Sequence, residues 1–166
     1  MDAWIGIVGT LLGVALGGVI SYLTSRQQVN HEKRLALSKR QIEKIEKAHE
    51  LLTSIGVMFR GYFGSDTSFL FTDKKGNDKA EGRLPFEELD MLFSFYVPSL
   101  APKAKELVEL CQSYGTSSVE TKLAPPRTRE EKTTRLKTLK EKYEQIEAHI
   151  TELKGQLAQT IQAYAK

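Results

Sequence analysis

Three histidines, a single cysteine and a cluster of carboxylates are the side chains of this 166-residue chain most able to do chemistry, and their spacing forms no reactive pattern. His31, His49 and His149 are scattered. His49 and His149 fall on two helical stretches that can approach each other. Two imidazoles without a third ligand make a poor metal site, and a polar residue on a helix seam more often sets register. Cys111 lies on an apolar stripe, which suits a buried inert thiol better than a nucleophile. Glu87, Glu88 and Asp90 gather near a helix start, where the helix dipole alone accounts for acidic residues. HExxH, CxxC and GxSxG are all missing from the sequence. No catalytic residue, cofactor site or metal site is therefore expected, and the chain is read as non-enzymatic.

The glycines are more informative. Residues 3–23, AWIGIVGTLLGVALGGVISYL, contain no charged side chain. As a helix they span roughly 31 Å, which matches a bilayer core of about 30 Å. Trp4 and Tyr22 stand at the two ends, where amphipathic rings favour the headgroup zone. The run is longer than a signal-peptide core and is preceded only by Met1 and Asp2, with no basic region, so it is read as an uncleaved transmembrane anchor. Gly6, Gly9, Thr10, Gly13, Gly17 and Ser21 share an arc of roughly 120° on such a helix. A stripe of small residues lets another helix backbone approach closely, so this face is the candidate for association with a second copy or another membrane protein.

Charge is distributed unevenly along the chain. Arg26, Lys33, Arg34, Lys39 and Arg40, against Glu32, give residues 26–40 a local excess of +4. Residues 41–166 hold 19 basic and 19 acidic side chains. The basic excess therefore sits next to the candidate anchor, as expected for a stalk on the cytoplasmic side that can also touch anionic lipid. It leaves no basic surface on the remaining domain, so nucleic acid is not an expected partner. The expected address is a single-pass membrane protein, in the inner membrane if the source is bacterial, with a short N-terminus outside and the C-terminal domain in the cytoplasm.

Beyond the stalk the periodicity is helical throughout. An apolar stripe runs through Leu35, Ile42, Ile45, Leu52, Phe59 and Phe63, and a second joins it at Ala48, Leu51, Ile55, Met58 and Tyr62. Residues 64–84, rich in Gly, Asp, Asn and Lys, predict a long loop whose part from Lys74 to Arg83 has a disordered composition. Phe69, Leu70 and Phe71 form an apolar knot in that loop, expected to pack on the core and otherwise the candidate partner-docking site. Pro85 opens a helix with an apolar face at Phe86, Leu89, Leu92, Phe93 and Tyr96, and Pro98 and Pro102 interrupt it. Ala104, Leu107, Val108, Cys111 and Tyr114 make the next stripe; Gly115 predicts its end and residues 115–127 a second loop. Thr128 and Glu131 form a capping box. Leu136, Leu139, Tyr143, Ile146, Ile150, Leu153, Leu157, Thr160 and Tyr164 then keep a three-four spacing without a slip, as in a bundle helix or a coiled coil.

The expected fold is all-α: a single transmembrane helix (residues 1–25), a basic juxtamembrane stalk (26–40), and an antiparallel cytoplasmic bundle of three to four helices (41–166) with long first and last members. The expected function is a scaffold or adaptor whose bundle binds a cytoplasmic protein, held at the lipid bilayer and self-associating through the glycine stripe. The alternative is a membrane-perturbing or pore-forming effector, with the bundle as sensor or restraint. In layout alone the chain is similar to small effectors of anti-phage or toxin systems.

Overall fold

The computed structural model describes the backbone of residues 2–72 and 84–164, and the side chains of residues 21–22, 24–72 and 84–164. Among the described residues all regular structure is helical. Helix α1 runs Asp2–Thr72, α2 Phe86–Tyr96, α3 Ala101–Leu123 and α4 Arg129–Tyr164, with a 3-10 turn at Pro98–Leu100. The chain divides into two compact units, residues 1–41 and 42–166.

In the first unit the described side chains of the stalk, Arg26, Lys33, Arg34, Lys39 and Arg40 among them, are exposed except for the half-buried Ser38. Leu35, where the apolar stripe was expected to begin, is also exposed, at 49 %. Among the described residues no helix is long and apolar enough to cross a membrane. The expected anchor, residues 3–23, and the glycine stripe within it lie outside the residues whose side chains are described, apart from Ser21 and Tyr22, which are exposed.

The second unit is a helical bundle. Its core draws Ile45, Leu52, Ile55 and Phe59 from α1, Leu89, Leu92 and Phe93 from α2, Ala104, Leu107 and Tyr114 from α3, and Leu139, Ile146, Leu153 and Leu157 from α4. Close contacts fix the directions. Gly56 lies against Ile150, Arg60 pairs with Glu147 and Phe63 stacks on Tyr143, so α1 and α4 run antiparallel. Lys103 pairs with Glu152 and Lys142 with Ser113, so α3 and α4 also run antiparallel. Helix α1 is thereby parallel to α3, as the contacts of Phe59 and Asp66 along α3 require.

Local signals set most helix ends. At the start of α4 the Thr128 hydroxyl accepts the Glu131 N–H at 3.1 Å, while the Glu131 carboxylate accepts the N–H groups of Arg127 at 2.8 Å and Thr128 at 3.3 Å. Helix α2 stops at Tyr96, and Pro102 is accommodated in the first turn of α3, where its missing N–H costs no hydrogen bond.

Two expected loops are shorter than the composition implies. Residues 64–72 are helical, so the break expected at Gly64 does not occur. The stripe keeps its three-four spacing past the glycines, from Phe59 and Phe63 to Asp66 and Leu70. Leu70 is 1 % exposed, and its burial offsets the roughly 1 kcal/mol that each glycine costs a helix, while Tyr114 and Lys122 satisfy the buried Asp66. Lys74–Arg83, expected to be disordered, lies outside the described residues. Likewise α3 does not end at Gly115 but continues to Leu123, with Ser118 and Thr121 buried one and two turns beyond Tyr114. It ends at Ala124, whose extended backbone (φ −121°) answers to Pro125, because the residue before a proline is disfavoured in helix.

Candidate functional site

The most unusual chemistry of the bundle lies where the C-terminal turns of α1 and α3 meet. Asp66 is 2 % exposed, yet carries a carboxylate. Helical phase puts it there: three residues after Phe63 and seven after Phe59, it occupies a core position. Its Oδ2 accepts a hydrogen bond from the Tyr114 hydroxyl at 2.8 Å. Its Oδ1 lies 3.2 Å from Lys122 Nζ, on the last turn of α3. Both oxygens are engaged, as a buried charge requires. Burial, reinforced by the adjacent Asp66 carboxylate, pushes the Tyr114 hydroxyl well above the usual phenol range, so it stays protonated and donates. The Tyr114 ring meets Phe59 edge to face, with centroids 5.5 Å apart.

Polar contacts continue across the α4 side. Lys142 Nζ donates to Ser113 O at 3.0 Å, Ser113 Oγ at 2.8 Å and Ser117 Oγ at 2.7 Å, so one ammonium ties α4 to two turns of α3. Tyr143 stacks face to face on Phe63, with centroids 4.8 Å apart and planes 5° from parallel. Its hydroxyl donates to Glu147, whose carboxylate also pairs with Arg60 at 3.0 Å. The Tyr143 hydroxyl first, and Arg60 second, hold the Glu147 carboxyl below its usual range. Beside these residues a groove of about 330 Å³ runs between α1 and α4 over Gly56, with Thr53, Arg60, Thr151 and Lys154 on its walls.

This arrangement ties α1 to α3: the Asp66 carboxylate lies between the Tyr114 hydroxyl and the Lys122 ammonium. Among the described residues no three His, Cys, Asp or Glu side chains come close enough to share a metal ion.

Comparison with known families, curated proteins and solved structures finds no match.

The sequence-derived candidates are placed as follows. His149 Nε2 lies 3.3 Å from Glu106 Oε2 on α3, and His49 is half-buried on α1. Cys111 is 3 % exposed, and burial pushes its thiol up to about 12. Glu87 and Glu88 occupy the first turn of α2. Phe69, Leu70 and Phe71 are on the final turns of α1 and not in a loop: Leu70 is in the core, Phe69 is half-buried and Phe71 is 51 % exposed. Successive helical residues point about 100° apart, so the three side chains face different directions, with Leu70 inward as expected for packing on the core. Asp66, Tyr114 and Lys122 were not singled out as a group. The readable signal was phase: extending the stripes beyond Gly64 and Gly115 brings Asp66, Ser118 and Thr121 onto buried positions.

Proposed function

We propose that this chain is a membrane-tethered, non-enzymatic scaffold: an N-terminal span holds it at the bilayer, the span associates laterally, and the helical bundle binds a protein partner. The observation that carries the reading is the order of charge along the chain: 21 residues without a charge, a stalk with an excess of four positive charges, then a domain whose charges balance. That order is what lipid selects when it solvates the first segment and anionic headgroups face the second. Tethering raises the local concentration of whatever the bundle binds. The bundle offers apolar side chains for this. Met91 and Phe95, one turn apart on α2, are 48 % and 77 % exposed, and Val119 and Leu123, one turn apart on α3, are 54 % and 80 % exposed.

The glycine stripe also supports a second reading, in which gathered copies perturb the bilayer. Apart from Trp4 and Tyr22 at its two ends, Thr10 and Ser21 are the only polar side chains of the run, a sparse lining for an aqueous pore, so the scaffold is preferred. Induced expression with a membrane-potential dye, followed by native mass measurement in detergent, separates the two. A scaffold leaves potential and growth unchanged and is recovered as an oligomer with a bound protein; Gly13→Leu with Gly17→Leu reduces the oligomer to monomer. Collapse of the potential that the same double substitution abolishes establishes the effector reading. A monomer without partner in detergent, harmless to cells, contradicts both.

A further inference from the structure

The geometry points to a conformational device: residues 65–72 form a separately opening end segment of α1, hinged at Gly61 and Gly64 and latched by Asp66 onto Tyr114 and Lys122.

Attachment changes character along the helix. Between residues 45 and 59, α1 buries Ile45, Ala48, Leu51, Leu52, Ile55 and Phe59, an unbroken apolar seam. After the hinge, Leu70 is the only fully buried apolar side chain, and the other buried position is taken by a charge. A carboxylate at a core position holds by direction, through two partners, where an apolar side chain would hold by area. Such a contact is present when both partners are aligned and lost when either moves, whereas apolar packing weakens gradually. Tyr114 is anchored in the core, and Lys122 is on the terminal turn of α3. The latch therefore joins one buried post and one partly exposed one.

The hinge is independent of the latch. A Cβ built on Gly61 or Gly64 meets no heavy atom within 4 Å, so neither glycine is required by close packing. What each supplies is backbone freedom, lowering the local helix equilibrium about fivefold relative to alanine. Placing two of them within four residues, immediately before a segment held by one leucine and one aspartate, concentrates opening at that point. Few buried apolar contacts together with a weak helix mark the elements of a fold that open below the global unfolding free energy. Opening takes Leu70 out of the core and withdraws Asp66 from Tyr114, uncovering a face of the Phe59–Tyr114 aromatic pair.

The test is native-state hydrogen exchange with fragment mass readout on the full chain in detergent micelles. The expected result for the wild type is exchange of the 65–72 amides about 100-fold faster than those of 146–157, rising with urea less steeply than at 146–157, as for a sub-global opening that exposes part of the buried surface. Asp66→Asn, which keeps the shape and removes the charge, is expected to speed exchange at 65–72 by roughly tenfold while 146–157 changes less than about twofold. Gly61→Ala with Gly64→Ala, which has room for both methyl groups, is expected to slow exchange at 65–72 by about tenfold or more. Should Asp66→Asn fail to fold, the alanine pair decides alone. Equal protection of 65–72 and 146–157 in the wild type, or no slowing in the alanine pair, overturns the proposal.

Discussion

Asp66 is the residue at which the fold takes its largest electrostatic risk. A carboxylate at 2 % exposure is tolerated because Tyr114 and Lys122 reach it from one helix. The two partners are not equivalent. Lys122 is 37 % exposed and can turn to water when its partner is lost, whereas the Tyr114 hydroxyl cannot. Tyr114→Phe is therefore expected to cost about 1.5–3 kcal/mol in urea denaturation, the range for a hydrogen bond to a charged group. Asp66→Ala should cost more, about 3 kcal/mol or above, since it strands the Tyr114 hydroxyl and empties a core position. A loss below the Tyr114→Phe value would show that the carboxylate is solvated and not latched. Cys111 gives a second check. Burial raises its thiol to about 12, so at pH 8 it is protonated and shielded. Its labelling by a thiol reagent at pH 8 should follow the unfolding rate, and immediate labelling in the native state would contradict its placement. Neither Asp66 nor Thr121 was legible as a buried residue from composition, because Asp, Ser, Thr and Gly in succession are the usual content of a loop. Helical phase carried the information, and three-four spacing from Phe59 onward reaches Asp66 and Leu70.

At the scale of single helices, α4 was readable from its first residue through Leu157, whereas Tyr164, expected on the stripe, is 41 % exposed. Its capping box is a contact between near neighbours, and its stripe does not slip, so tertiary structure had nothing to overrule. Leu139, Ile146, Ile150, Leu153 and Leu157 are all buried. Thr128→Ala is expected to lower stability by about 1 kcal/mol, measured as a shift in the denaturation midpoint at unchanged slope. The N–H groups of Arg127 first, and Thr128 second, hold the Glu131 carboxyl below its usual 4.5. A depressed carboxylate stabilises the fold when ionised. Its contribution is therefore complete above the ordinary carboxylate range and disappears as pH falls through the folded value, and Glu131→Gln should flatten that acid limb of the stability profile. In the same helix Gly155 has open space where a Cβ would sit, so Gly155→Ala should stabilise by about 1 kcal/mol in the same assay. Helices α1 and α3 were misjudged at their C-terminal ends for one shared reason. Gly64 and Gly115 are local signals for stopping, and burial of Leu70, Ser118 and Thr121 is a long-range reason to continue, invisible until the helices pack.

For the whole molecule, the arrangement of the bundle follows from its contact pairs. Gly56 to Ile150, Arg60 to Glu147 and Phe63 to Tyr143 step in opposite directions along α1 and α4, as two long antiparallel helices must. The all-helical class and the pairing of the long helices were legible because three-four spacing persists through most of residues 42–164. The exposed apolar pairs Met91 with Phe95 and Val119 with Leu123, the proposed docking side chains, were not legible: they emerge only once the inward faces of α2 and α3 are known. The proposed tether rests on the uncharged run 3–23 and the basic residues that follow it. Its most direct test is sedimentation of membranes from lysed cells, washed at high pH to strip peripheral proteins. The full-length chain should remain in the pellet and be released by detergent alone, whereas its recovery in the detergent-free supernatant would contradict the tether.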